Sequence, residues 1–325
     1  MKTALICGVS GQDGAYLAKL LLEKGYRVIG TSRDATTASF TNLQRLSIRE
    51  HVECQSMVPS NFDNVIQALS RIRPDEIYNL SGLSSVGLSF EQPIETMESV
   101  ANASINLMEA VRFLGGGSRL YNASSSECFG DTGDEAACED TSFHPRSPYA
   151  VAKAAAHWAT VNYREAYGLF ASNGILFNHE SPLRPDRFVT RKIITQACRI
   201  NADRNLKLRL GNLDIVRDWG WAPQYVEAIW RILQIGTADD FVIATGEAHS
   251  LQEFVAAAFG ELGLDWREHV EHDAALMRPS DIARSKGNPS KAIKVLGWKP
   301  SYGMRDVVRM MLHAELHSDA EAGPI

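Results

Sequence analysis

The chain has 325 residues, 45% of them hydrophobic and 22% charged, with a net charge of -6. This is the composition of an ordinary soluble globular protein with one large domain or two intimate ones, and its acidic balance excludes nucleic acid as the main partner. No apolar run is long enough to span a bilayer, so no membrane partner is expected.

A short apolar run over 3–7 reads as a buried strand. It leads into Gly8, Gly11 and Gly14, three glycines three apart, and then into a helical pattern over 13–24. A glycine turn between a first strand and a first helix lets backbone amides and the helix N-terminus approach a diphosphate closely. The spacing is G-x-x-G-x-x-G, with Gln12 and Asp13 inside it. Because the N-terminus enters this strand and turn directly, no signal peptide is expected.

Further strands are expected at 27–31, 52–57, 76–80, 118–123, 171–178 and 241–244. Helical patterns lie at 62–72, 98–113, 149–167 and 188–201. Strands alternating with helices predict a doubly wound parallel sheet of the Rossmann type, an α/β fold. The last third reads differently, with tryptophans, prolines and short elements. It predicts a smaller, irregular, mixed α/β domain over the sheet's C-terminal edge, where ligands bind in open α/β sheets. The expected division is a dinucleotide-binding domain over 1–178, rejoined by 213–246, and a substrate domain over 179–212 and 247–325. The tail after Leu316 is expected to fray. Cys7, Cys54, Cys128, Cys138 and Cys198 are odd in number and lack CxxC spacing, which predicts reduced thiols, no metal site and a cytoplasmic setting.

The second strong pattern is Ser147-Pro148-Tyr149-Ala150-Val151-Ala152-Lys153. Ser147 suits a helix N-cap and Pro148 the first helical position, so Tyr149 and Lys153 share one helix face. A free phenol has a pKa of ~10 and is a poor base at neutral pH. Lowering it by ~3 units takes ~4 kcal/mol, which a nearby ammonium and a cofactor cation would provide. Alone, Tyr-x-x-x-Lys is an ordinary amphipathic pattern; behind a glycine turn it reads as a general base and its partner. The third pattern, Asn122-Ala123-Ser124-Ser125-Ser126-Glu127, follows a predicted strand and falls on the same sheet edge.

These residues resemble the extended short-chain dehydrogenase/reductase superfamily, and within it the GDP-mannose 4,6-dehydratases. The likeness runs nearly end to end. It includes Gly11-Gln12-Asp13-Gly14-Ala15-Tyr16-Leu17-Ala18, Asn178-His179-Glu180-Ser181-Pro182, Phe188-Val189-Thr190-Arg191-Lys192, Arg217-Asp218-Trp219-Gly220 and Leu296-Gly297-Trp298-Lys299-Pro300. The resemblance implies a lyase that converts GDP-mannose to GDP-4-keto-6-deoxy-mannose. Tyr149 would take the C4 hydroxyl proton, Lys153 would lower the Tyr149 pKa and bind nicotinamide ribose, and Ser125, where the family usually has Thr, would hydrogen-bond the C4 oxygen. Glu127 would remove the C5 proton and assist loss of the C6 hydroxyl. It is the residue that separates dehydration from simple reduction or epimerisation.

The cofactor would lie along Gly8, Gly11, Gln12, Asp13, Gly14 and Arg33, besides Tyr149 and Lys153. The substrate would lie along Ser84, Asn178, Val189, Lys192 and Gly211, with Arg217 and Arg278 on its diphosphate and Asp281, where the family usually has Glu, on ribose. Strand two ends Gly30-Thr31-Ser32-Arg33 with no acid at its tip, which favours NADP over NAD. His179 and Glu180 read as structural, and Trp219, Trp221, Trp230 and Trp298 as core. Homodimers through 98–113 and 149–167, or tetramers through the loop after Arg33, follow from the same resemblance.

The chain departs from the family pattern at Val58, where an adenine acceptor is usual, at Leu83, at Leu183-Arg184-Pro185-Asp186 and at Ala283. Two other readings stay open. One is an epimerase, reductase or dehydratase on another GDP-sugar such as a GDP-heptose. The other is a weakly active, cofactor-binding regulatory paralogue.

Overall fold

Alternate residues of the first strand serve two different cores. In β1 (Thr3–Cys7), Ala4 and Ile6 pack on one side and Leu5 and Cys7 on the other. A strand buried on both faces needs helices above and below it, and that is what the rest of the chain supplies. The computed structural model describes residues 1–321. Its main sheet also contains β2 (Arg27–Ser32), β3 (Glu53–Ser56), β4 (Glu76–Asn79), β5 (Arg119–Ser125), β6 (Ala171–Leu176) and, from much later in the chain, Phe241–Ile243. The order across the sheet is Phe241–Ile243, β6, β5, β4, β1, β2, β3, and every pairing is parallel. Succession therefore reverses between β1 and β4, which opens a crevice at their C-terminal ends.

The helices follow from local chemistry. Gly11 sits at the N-cap of α1 (Gln12–Glu23), and the short α2 (Thr41–Arg45) follows β2. Asn61 caps α3 (Phe62–Ile72) by accepting the Asn64 amide, and Ser85 caps α4 (Val86–Glu91) through the Leu88 amide. The run expected as one helix over 98–113 is composite. After α5 (Pro93–Thr96), a π-helical turn over Met97–Asn102 leads into α6 (Ala103–Phe113). Ser147 caps α7 (Pro148–Tyr167) by accepting the Ala150 amide, Pro148 is its first residue, and Gly168 ends it at φ +66°. Side chains of α1 fill the core on the Ala4/Ile6 side, and those of α3 and α6 the core on the Leu5/Cys7 side, with α7 packed beside α6.

The last third is more helical than its sequence suggested. The short β7 (Asn178–Glu180) is followed by α8 (Val189–Ala202), α9 (Ala222–Ile232), α10 (Leu251–Glu261), α11 (Ser290–Leu296) and α12 (Met304–Glu321). A Ser250–Glu253 capping box opens α10. Ile193 and Ile194 of α8, Phe254 and Phe259 of α10, and Val307 and Met311 of α12 form a separate apolar core with Trp219. Val226 and Ile229 of α9, with Ala292 and Leu296 of α11 and Trp298, instead join the main-sheet core. Between these helices the expected short elements are present: Leu208–Leu210, Val216–Arg217, Trp219–Trp221, His249–Ser250, Val270–His272 and Arg284–Ser285 form small two- and three-stranded sheets, one of them with β7. The fraying expected after Leu316 is not seen as far as Glu321, because α12 runs that far; the remainder of that tail lies outside the described residues.

Candidate active site

The glycine turn bridges the crevice. Gly8 has φ +86°, and a Cβ there would lie 2.7 Å from the Leu80 carbonyl oxygen; one at Gly14 would lie 2.3 Å from the Gly8 carbonyl oxygen. Larger residues would push β1, the loop after β4 and the start of α1 apart. Gly11 brings no side chain to the first amides of α1, which leaves the helix N-terminus open to an anion. The turn therefore fits the diphosphate of a dinucleotide.

The side chains inside the turn face inward. Gln12 is buried; its amide group donates to the His179 carbonyl at 3.1 Å and its oxygen accepts from Ser181 at 2.8 Å. Asp13 Oδ2 lies 2.9 Å from His179 Nε2, and His179 Nδ1 lies 2.7 Å from the Phe177 carbonyl oxygen. Both ring nitrogens face acceptors, so both carry protons and His179 is an imidazolium. Burial opposes that charge, but the Asp13 carboxylate outweighs it and the imidazole pKa is raised. Burial likewise opposes ionised Asp13, and His179 overrides it, bringing the carboxyl down to about 2. The ring also stacks on Tyr225, with centroids 4.7 Å apart. His179 thus ties the glycine turn to β7, the structural role its sequence suggested.

Beside this clasp lies a cavity of about 450 Å³. Ser125, Glu127, Tyr149 and Lys153 all line it, so strand β5, the short turn after it and helix α7 bring the four expected catalytic side chains to one cavity. Ser84, Asn178, Val189 and Lys192 line it too, as do Gly211, Arg217, Arg278 and Asp281. Asp13 reaches the same space, whereas Gly8, Gly11, Gly14 and Arg33 are not among its walls. Arg33 is exposed and paired with Glu95 at 3.5 Å, and the neighbouring Asp34 is engaged by the hydroxyls of Thr36 and Thr37.

Tyr149 is not an activated base on the strength of Lys153 alone. Burial pushes its phenol well above 10, against a lowering hydrogen bond from Ser125. Lys153 Nζ lies 5.8 Å from the phenol ring centroid and donates to the Ala123 carbonyl at 2.7 Å. Burial brings the Lys153 pKa down to about 8. The expected depression of the Tyr149 pKa is therefore absent from the protein by itself. The cause is desolvation, which disfavours both charged forms.

Glu127 is held above its ordinary range by burial, with Arg217 and Arg278 pulling it down and Asp281 pushing it up. Its backbone amide donates to Ser125 Oγ at 3.3 Å, which fixes the short turn after β5. Arg217 is buried and pairs with Asp281 at 3.1 Å, and Arg278 approaches the same carboxylate oxygen at 3.6 Å. The two arginines thus share an internal counter-ion. Asp218, the next residue after Arg217, serves the fold: it accepts from the Thr245 and Gly246 amides.

Sequence reasoning missed several walls. Arg184 and Arg187 line the cavity, with Arg184 paired to Glu180 at 3.1 Å and lying over the Phe188 ring at 3.9 Å. Two arginines flanking Pro185-Asp186 were the available signal. Leu276 and Met277 also line it and carried no signal beyond ordinary apolarity. Leu83 is a wall whose amide donates to Ser99 at 3.3 Å. Val58 lies elsewhere, on a shallow cleft with Asn61 and Asn64, and its amide donates to Asn64 at 2.7 Å. Ala283 pairs its carbonyl with the Val216 amide. Trp219 and Trp298 are buried, Trp221 and Trp230 half-buried, and Trp219 also borders the cavity. Among the described residues there is no cluster of side chains suited to a metal, no disulfide, and no helix long and apolar enough to cross a membrane.

The sequence model of the GDP-mannose 4,6-dehydratase family matches residues 5–311. The chain belongs to that family. It is 46% identical over 325 residues to "GDP-mannose 4,6 dehydratase 1" of Arabidopsis thaliana, covering 97% of this chain and 90% of the relative. Among solved structures, the dTDP-glucose 4,6-dehydratase of Bacillus anthracis in complex with NAD superposes with a TM-score of 0.85 at 19% identity, covering 99% of this chain and 98% of the other. RMD of Pseudomonas aeruginosa, complexed with NADPH, gives a TM-score of 0.78 at 20% identity, covering 98% of each chain. These two share the fold of this family member, a Rossmann-type sheet.

Proposed function

We propose that the protein is a GDP-mannose 4,6-dehydratase, a lyase that removes water from GDP-mannose to give GDP-4-keto-6-deoxy-mannose. The observation that carries this reading is Glu127 in the same cavity as Ser125, Tyr149 and Lys153, in a member of this family. A bound nicotinamide dinucleotide supplies the acceptor for hydride from C4 and its return to C6. Tyr149 takes the C4 hydroxyl proton, and Ser125 holds the C4 oxygen. Glu127, kept basic by burial, takes the C5 proton, made acidic by the neighbouring ketone, and passes it to the departing C6 hydroxyl; as hydride returns to C6, C5 takes up a proton, which balances the one Tyr149 took from the C4 hydroxyl. Arg217 and Arg278 exchange their shared Asp281 carboxylate for the substrate diphosphate, with Lys192 and Asn178 along the nucleotide. Incubation with GDP-mannose and cofactor should yield a product lighter by one water. Unchanged mass would replace this reading with an epimerase, a reductase or a non-catalytic paralogue.

The cofactor is assigned as NADP, with Arg33 on the 2′-phosphate; the exposed guanidinium and the lack of an acid at the tip of β2 support this. Arg33→Ala should weaken NADP by ~1.5–3 kcal/mol and leave NAD unchanged. Equal losses would remove the assignment. The division proposed is a dinucleotide-binding domain over 1–178 with 213–246 and a nucleotide-sugar domain over 179–212 with 247–321, except that α11 and Trp298 pack with the first and Trp219 with the second. The enzyme acts in the cytoplasm as a homodimer through α6 and α7, a reading supported by the exposure of Val151 and Trp158 seven residues apart on α7.

A further inference from the structure

His157 is a buried polar side chain that the reaction does not use. It follows Lys153 by four residues and Tyr149 by eight, so all three lie along one stripe of α7. Its Nδ1 is 3.2 Å from Ser124 Oγ, and its Nε2 is 3.9 Å from Asp240 Oδ2. Burial, partly offset by Asp240, lowers its pKa to about 4, so the ring is neutral. One ring nitrogen thus faces Ser124 and the other faces Asp240.

The far end of this chain is rigid. Arg164, also on α7, grips Asp240 through two nitrogens at 2.9 and 2.7 Å. Asn173 of β6 donates to Asp240 through its amide at 3.0 Å and to the His157 carbonyl at 3.3 Å. Phe143 packs its ring edge to face against the imidazole at 4.8 Å. Ser124 is only 3% exposed, so this Ser–His–Asp set is no hydrolytic nucleophile.

The position of Ser124 is what matters. The residue before it, Ala123, supplies the carbonyl that holds Lys153. The residue after it, Ser125, lines the same cavity as Tyr149 and is what pulls the phenol pKa down against burial. We propose that His157 is a positioning residue: by pinning Ser124 it fixes the strand end that orients both Lys153 and Tyr149. The inference rests on the reading above, in which those two side chains do the proton work. A shift of about 1 Å in such a pair is enough to cost of order 100-fold in rate.

The test compares native enzyme with His157→Phe, His157→Asn and Ser124→Ala. Phe keeps a ring without hydrogen bonds, and the Asn carboxamide reaches the place of Nδ1. His157→Phe and Ser124→Ala should each lower kcat for GDP-mannose by about tenfold or more while KM stays within about twofold, and His157→Asn should recover kcat to within about threefold of native. Hydrogen–deuterium exchange over 120–126 reads the same pinning without turnover. It should quicken about tenfold in the Phe and Ala variants and return toward native in Asn. Native kcat or native exchange in Ser124→Ala overturns the proposal even if His157→Phe fails to fold, and so does an Asn variant no better than Phe. A native enzyme that forms no dehydrated product defeats the functional reading instead, while exchange still decides the pinning.

Discussion

Lys153→Met separates what the ammonium does for the reaction from what it does to the fold. With Nζ 5.8 Å from the Tyr149 ring, a unit charge interacts with a phenolate by about 3 kcal/mol at an effective dielectric of about 20. That is about two powers of ten in the fraction of phenolate. Removing the cation raises the phenol pKa, so the acid limb of kcat should move up by about two pH units and kcat at pH 7 should fall about 100-fold. Stability should move the other way. The folded pKa of Lys153 is depressed from 10.5 to about 8, so its cost is fully present below pH 8 and fades as pH rises toward 10.5. The depression corresponds to about 3 kcal/mol, and stranding the Ala123 carbonyl returns about 1–2 kcal/mol of it. The variant should therefore be more stable at pH 7 by about 1–2 kcal/mol in urea titrations, the trade between activity and stability expected at a built site. An unmoved acid limb, measured by product mass spectrometry across pH, would refute the electrostatic role. A loss of stability at pH 7 would refute the burial argument.

Glu127→Gln should block elimination more than the first oxidation, giving slow formation of reduced cofactor without C5 exchange in deuterated water; undiminished exchange would assign the base elsewhere. The Asp13–His179 pair makes two opposite contributions with pH. The raised imidazole pKa stabilises the fold fully below pH 6.5 and loses that contribution as pH climbs through the folded value, while the depressed Asp13 pKa stabilises above pH 4 and is lost toward about pH 2. Native protein should then lose urea stability as pH rises above 6.5, relative to its value at pH 6, and a His179→Gln variant should show a flatter curve; parallel curves would mean the ring is not charged in the fold. Calorimetry should find GDP bound at least about tenfold more tightly than UDP or dTDP, a difference of ~1.4 kcal/mol, and equal affinities would move the substrate to another sugar-nucleotide class.

The short-range features were legible before any fold was known. The glycine turn, the Ser147-Pro148 start of α7, the Tyr149–Lys153 spacing and the first six strands are each encoded within a few consecutive residues, because capping, φ preference and side-chain period act over that range. The resemblance placed the eight substrate-side candidates, and the fold gathered them around one cavity. Other features depended on folding. Asp13 meets His179 across 166 positions, and Arg217 meets Asp281 across 64, with no local pattern to announce either pair. The desolvation that opposes charge on both Tyr149 and Lys153 was likewise not written in their spacing. Spacing sets which groups are neighbours, but water exclusion sets what their proximity does, and that exclusion arises only when α7 lies on β5 and the helices of the last third close against the sheet edge.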